Sequence, residues 1–176
     1  MSLASLLHRL ARPGLVTAAL AAGALALTTT SATAAPALTQ ISADPYTNAT
    51  SQHATEVEPD TFSYGSTIVS AFQVGRFTDG GGSNVGFATS KDGGATWTRG
   101  FLPGITTQAG GTFQRVSDAS VTYDAKHNVW LISSIPITSS VTVPEVYTSR
   151  STDGGLTWSN PVVTATGSSL DKNWIV

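Results

Sequence analysis

Apolar residues are distributed along this 176-residue chain in two contrasting ways. From Gly14 to Leu27 they form an almost unbroken stretch, preceded by Arg9 and Arg12 with no acid and followed by the small-x-small tripeptide Ala32-Thr33-Ala34. A run that short, with a basic flank and a small-residue exit, predicts a signal peptide over 1–34 rather than a membrane span. From Val57 onward the apolar residues come in short runs divided by Gly, Asp, Ser and Pro, with no i, i+3, i+4 series long enough for a helix. The mature part is therefore expected to be all-β. Strands are predicted at 60–64, 67–72 and 84–89 with a fourth from Thr96, then in the same order at 119–123, 129–133, 145–150 and 157–163. Between the two patterned regions, 35–56 is rich in Ala, Thr, Ser, Asn and Pro and reads as a flexible, extended leader.

The strand order repeats because the sequence repeats. Ser-Lys-Asp-Gly-Gly-Ala-Thr-Trp at 90–97 returns 61 residues later as Ser-Thr-Asp-Gly-Gly-Leu-Thr-Trp at 151–158, identical at six of eight positions. Four antiparallel strands per unit, one unit after another, is the pattern of successive blades of a β-propeller. The first blade is expected over about 57–105 and the second over about 113–166. Residues 170–176 resemble the opening strand of a third. Propellers close with about four to eight blades, so two blades and a strand call for further blades or for other copies of the chain.

Within the repeat, the glycines permit the positive φ of a tight turn, and the aspartate can accept backbone N–H groups inside it. Ser90, Asp92, Gly94 and Thr96, with Ser151, Asp153, Gly155 and Thr157, are expected to form two hairpin clips. Trp97 and Trp158 should close them by packing between sheets, each indole N–H finding a carbonyl. Each motif offers one carboxylate where a calcium loop offers several, so no metal site is expected there. Asn48-Ala49-Thr50 is a glycosylation sequon. His53 and His127 lack zinc-type spacing.

Charge and composition narrow the partners. The formal charge is −2, and cleavage after residue 34 removes two of nine basic side chains and none of eleven acids, which argues against a nucleic-acid partner. With no cysteine there is neither a disulfide nor a lipid-modified thiol to hold or anchor the chain, so export as a soluble, secreted protein with a packed core is expected. No cofactor is indicated.

Both octapeptides match the Asp-box, or bacterial neuraminidase repeat, and the chain from about Val57 resembles the opening blades of the sialidase superfamily. The resemblance implies an exo-α-sialidase or related glycoside hydrolase acting on extracellular glycans or glycoproteins. In such enzymes an aspartate protonates the leaving oxygen, a tyrosine activated by a glutamate attacks, and arginines hold the substrate carboxylate. The loop after the second strand then implies Asp79 as the acid/base and Arg76 as a candidate substrate-binding residue, and Arg115, which begins the second unit, is a second candidate if it points toward the central channel. Asp79 also fits a local turn in Thr-Asp-Gly-Gly-Gly-Ser-Asn. The family's Arg-Ile-Pro motif corresponds to Thr55-Glu56-Val57-Glu58-Pro59-Asp60, which keeps the proline and lacks the arginine. The tyrosine, its glutamate and two arginines come from later blades in the family, so this chain is expected to be an incomplete, inactive portion. The alternative is a non-catalytic propeller that binds carbohydrate or protein. Glu56, Glu58, Asp60, Asp118 and Asp171 either ring the propeller mouth or hydrogen-bond between blades.

Overall fold

The computed structural model describes residues 37–176, so the signal peptide expected over 1–34 and the first residues of the expected leader lie outside the described part. Eight strands follow one another: β1 (Gln52–Tyr64), β2 (Thr67–Arg76), β3 (Gly82–Ser90), β4 (Thr98–Phe101), β5 (Arg115–Asp124), β6 (Val129–Ile137), β7 (Glu145–Ser151) and β8 (Val162–Thr166). Every neighbouring pair is antiparallel, and β1–β4 and β5–β8 are two four-stranded meanders joined by the single pairing Gly82 with Val116. All eight expected strands are present. Several run longer than the apolar pattern suggests, because polar residues such as Gln73, Ser83 and Ser134 are buried within them. The last strand starts at Val162 instead of Thr157, the intervening residues being used by the turn of the second octapeptide.

Strand alternation gives each meander two faces. Val69, Ala71, Val85 and Phe87 of the first meander pack with Val121, Trp130 and Ile132 of the second in one core, so the two sheets stack face to face as successive propeller blades do. Aromatic pairs seal the join: Phe62 with Trp130 at 6.1 Å and Tyr64 with Tyr123 at 4.3 Å between ring centroids. The opposite face of the first meander carries Phe72, Val74 and Ala88. The first strand of each meander has a bulge at an acidic residue with positive φ, Glu58 (52°) in β1 and Asp118 (52°) in β5. The same irregularity at the same place in both units is what a shared repeat geometry requires.

Two expectations are corrected here. Residues 38–51 carry no strand, as an extended leader would, but they are fastened to the fold. Ile41 and Tyr46 pack on Phe72, Val74 and Ala88, and the Asn84 side chain donates to the Tyr46 hydroxyl at 2.8 Å. β1 then begins five residues before the expected boundary. Asn48 of the sequon spends its amide on Ser51 and Ser83, both at 3.0 Å, which would have to be given up to carry a sugar. At the other end 171–176 forms no strand. It is held through side chains instead: the Asn173 amide donates to the Asp118 carbonyl at 2.6 Å, its oxygen accepts from Ser133, and the Ile175 N–H donates to Ser120 at 3.3 Å.

Candidate functional site

The two octapeptides form nearly identical turns. In the first, Ser90 Oγ donates to Asp92 at 2.8 Å and accepts from Gly94 N–H, while Asp92 accepts from Thr96 N–H at 2.9 Å and Thr96 Oγ1 at 2.6 Å. In the second, Ser151, Asp153, Gly155 and Thr157 repeat those bonds, and Asp153 also accepts from Leu156 N–H. Hydrogen bonds from Thr96, then Ser90, hold the Asp92 carboxyl down at about 2, and those from Thr157 and Ser151 likewise depress Asp153. These residues are clips, and among the described residues no group of His, Asp or Glu side chains is placed to hold a metal.

The tryptophans differ from the expectation. Trp97 donates its indole N–H to Gly94 O at 3.0 Å, but its ring lies on the face of the first meander turned away from the second, beside Phe101, Ile41 and Tyr46. Trp158 does pack between the meanders, with Phe87 at 5.8 Å, yet its buried Nε1 has no partner among the described residues. The two motifs differ in surroundings because, among the described residues, Trp158 of the second packs on the other meander and Trp97 of the first does not.

The loop between β2 and β3 builds the first chemically distinctive feature. Phe77 N–H donates to Gly81 O at 2.8 Å and Gly80 N–H to Phe77 O at 3.2 Å, with Gly80 and Gly81 at φ of 109° and 76°. A Cβ on Gly81 would lie 2.9 Å from Ile137 and 3.2 Å from Arg115, so this backbone can approach β5 and β6 only as glycine. The turn delivers Asp79 to Arg115, whose guanidinium donates to the Asp79 carboxylate and to Gly80 O at 3.1 Å and stacks 4.6 Å above the Phe77 ring. Arg115's side chain is 6% exposed and Asp79's 59%. The Arg115 hydrogen bond is the main reason the Asp79 carboxyl lies below its ordinary range. A carboxylate held ionised is an acceptor, whereas a general acid needs its proton kept on at working pH.

Beside this pair opens a cavity of about 580 Å³, lined by Gly80, Gly81, Ser117, Asp118, Ile135 and Ile137 and by residues 141–143 and 168–171. Asp118 accepts from Ser117 Oγ at 2.6 Å and lies 3.6 Å from Lys172 Nζ. Behind Ser117 is Gln73, fully buried, donating to Ser117 Oγ at 3.1 Å and to Glu58 at 2.5 Å while its Oε1 has no partner among the described residues. Sequence reasoning passed over Gln73; an amide in the otherwise apolar and small-residue strand Thr67–Arg76 was the available signal. Gln73 does not itself line the cavity; its link to it runs through Ser117, while Asp118 and Asp171 are the two carboxylates on its wall.

The remaining candidates divide. Asp118 and Asp171 reach the cavity, whereas Asp60 is spent between the meanders, accepting from Val121 N–H at 2.7 Å. Arg76 lies 3.9 Å from Glu58, and its ion pair is with that residue instead of Asp79. Burial, then Asp44's charge, raises the Glu56 carboxyl. His53 and His127 each meet a single aspartate, Asp44 and Asp124. Tyr147 has Glu145 nearby, but burial and then that glutamate push its phenol up, opposite to activation of a nucleophile.

No helix among the described residues is long and apolar enough to cross a membrane. No protein-family model matches the chain, and no curated protein matches it. Among solved structures, the exo-beta-1,3-galactanase from Phanerochaete chrysosporium, crystallised with beta-1,3-galactotriose, is similar at 18% identity and a TM-score of 0.41 over 68% of this chain. The likeness spans 28% of that enzyme's length, and at such similarity it assigns no activity.

Proposed function

We propose that this chain supplies the first two blades of a secreted, sialidase-like propeller that engages extracellular glycans, and that as it stands it binds without cleaving. The observation that supports this reading is the 580 Å³ cavity, where Asp118, Asp171 and three serines offer acceptors and donors for sugar hydroxyls beside the Asp79–Arg115 pair. Cleavage would need a protonated acid and a second catalytic group poised across the bond. Asp79 is instead engaged by Arg115 and held ionised. Incubation with a fluorogenic sialoside is expected to give no turnover, while a glycan array shows binding that Asp118→Asn weakens. Robust hydrolysis abolished by Asp79→Ala would overturn the non-cleaving reading, and absence of any glycan binding would overturn the reading as a whole.

A second reading, a non-catalytic platform completed by further blades or other copies, is favoured by the outer strand β8, where Val162 and Val163 are 62% and 50% exposed. Light scattering on the processed chain tests it. Concentration-dependent association supports the platform, and a stable monomer at all concentrations counts against copies completing the ring.

A further inference from the structure

A second cleft, of about 450 Å³, lies outside the cavity described above and is lined by Thr107, Thr112, Phe113, Gln114, Thr138 and Ser139. Two loops form it, and both are internally fixed. In the connection from β4 to β5, Thr106 is fully buried and donates its hydroxyl to Ser83 O at 2.6 Å, while Thr107 N–H donates to Phe113 O at 2.9 Å and Phe113 N–H to Ile105 O at 3.2 Å. In the hairpin from β6 to β7, Thr138 N–H donates to Thr142 O at 2.9 Å and the two threonine hydroxyls lie 2.7 Å apart. Tyr147 braces the Phe113 ring edge-on, 5.6 Å between centroids and 87° between planes. The cleft is therefore shaped before any ligand arrives, which reduces the ordering cost of binding.

Its chemistry is specific in what it contains and in what it lacks. No ionisable side chain lines it. One aromatic ring is surrounded by hydroxyls, and among the described residues those of Thr107, Thr112 and Ser139 have no hydrogen-bond partner. Gln114 accepts from Arg115 at 3.3 Å through its oxygen, which directs its amide donors to another acceptor. An aromatic side chain flanked by neutral donors and acceptors matches an uncharged ligand with an apolar face and a hydroxylated edge, which describes a pyranose ring. The cleft also adjoins the first cavity: Gln114 precedes Arg115, and the β6–β7 hairpin turns Thr138 and Ser139 toward the cleft and Val141, Thr142 and Val143 toward the cavity.

We propose that the Phe113 cleft is a neutral-sugar subsite that extends the glycan site beyond the Asp118 cavity, so that the protein favours oligosaccharides long enough to reach both. This inference rests on the glycan reading above. The test is calorimetric titration of the protein with neutral β-linked hexose disaccharides and pentasaccharides. The pentasaccharide is expected to bind more tightly than the disaccharide, and Phe113→Ala to remove about tenfold of that affinity by deleting the ring stack while leaving disaccharide binding unchanged. Phe113→Tyr, which keeps the ring, should preserve the gain and shows that any loss is not one of folding. Equal binding of the two lengths by the unaltered protein, or a gain that survives Phe113→Ala, overturns the subsite. Disaccharide binding lost in Asp118→Asn would keep the glycan reading standing in that case, and no binding of either length overturns both.

Discussion

Thr89 Oγ1 donates to the carbonyl of Gly155 at 2.5 Å, fastening the second octapeptide turn onto the first meander. Its counterpart in the first turn, Gly94, accepts instead from Trp97 Nε1 of its own turn at 3.0 Å. The two glycines share a positive φ, 97° and 87°, but a Cβ on Gly94 would meet nothing closer than 3.8 Å while one on Gly155 would lie 2.7 Å from Val69 and 3.0 Å from Thr89. Gly94→Ala should therefore cost only the left-handed backbone penalty, about 1–2 kcal/mol. Gly155→Ala should cost about 1–3 kcal/mol more through overpacking. Urea unfolding of both variants measures the difference, and equal losses would show that the second turn is not clamped between the sheets.

Trp158 packs with Phe87 in the inter-meander core, whereas Trp97 covers the far side of the first meander with Ile41 and Tyr46. Trp158→Ala is expected to destabilise by about 3–5 kcal/mol. Trp97→Ala should also lower stability and should in addition loosen 38–51, seen as faster hydrogen exchange in that segment alone. Exchange that rises equally with Trp158→Ala would contradict the separate roles.

Acid should weaken both turns. Asp92 has a folded-state pKa of about 2 against an ordinary 3.8, and a depressed pKa stabilises the fold in full above the higher value and loses that contribution as pH falls toward the lower. The unfolding midpoint should thus drop between pH 3.8 and about 2. Asp92→Asn, which keeps the shape and removes the titration, should flatten this dependence; an unchanged slope would place the acid sensitivity elsewhere.

The hydrogen bond from Arg115 is the main cause that lowers the Asp79 carboxyl below its ordinary value. In Arg115→Gln the Asp79 carboxyl should titrate upward toward 3.8, followed by carbon NMR of that side chain. A titration that does not move would mean the turn's backbone N–H groups, rather than the guanidinium, set the charge.

Much of the fold was legible in the residues. Short apolar runs at 67–72 and 129–133, bounded by turn residues, specify strands because alternation and turn chemistry are local properties, and the structure extends them to Arg76 and Ile137. The repeated Ser, Asp, Gly and Thr specify a clip because all its bonds close within seven residues of chain. Asp79 and Arg115 were both legible as candidates, but their pairing was not, since 36 positions separate them and only the glycine turn brings β3 close enough to β5.

The sequence by itself determined an all-β chain of two like units, each closed by the same turn, because every one of those features depends on neighbours in the chain. Tertiary structure decided which face of each unit is covered. It turned Trp97 toward the leader and Trp158 toward the other sheet, left Gln73 buried beside the Asp118 cavity, and set Phe113 against Tyr147. Closely similar local sequences acquire different surroundings once sheets stack, since packing depends on what lies across the gap of about 10 Å typical between sheets and not on what lies next along the chain.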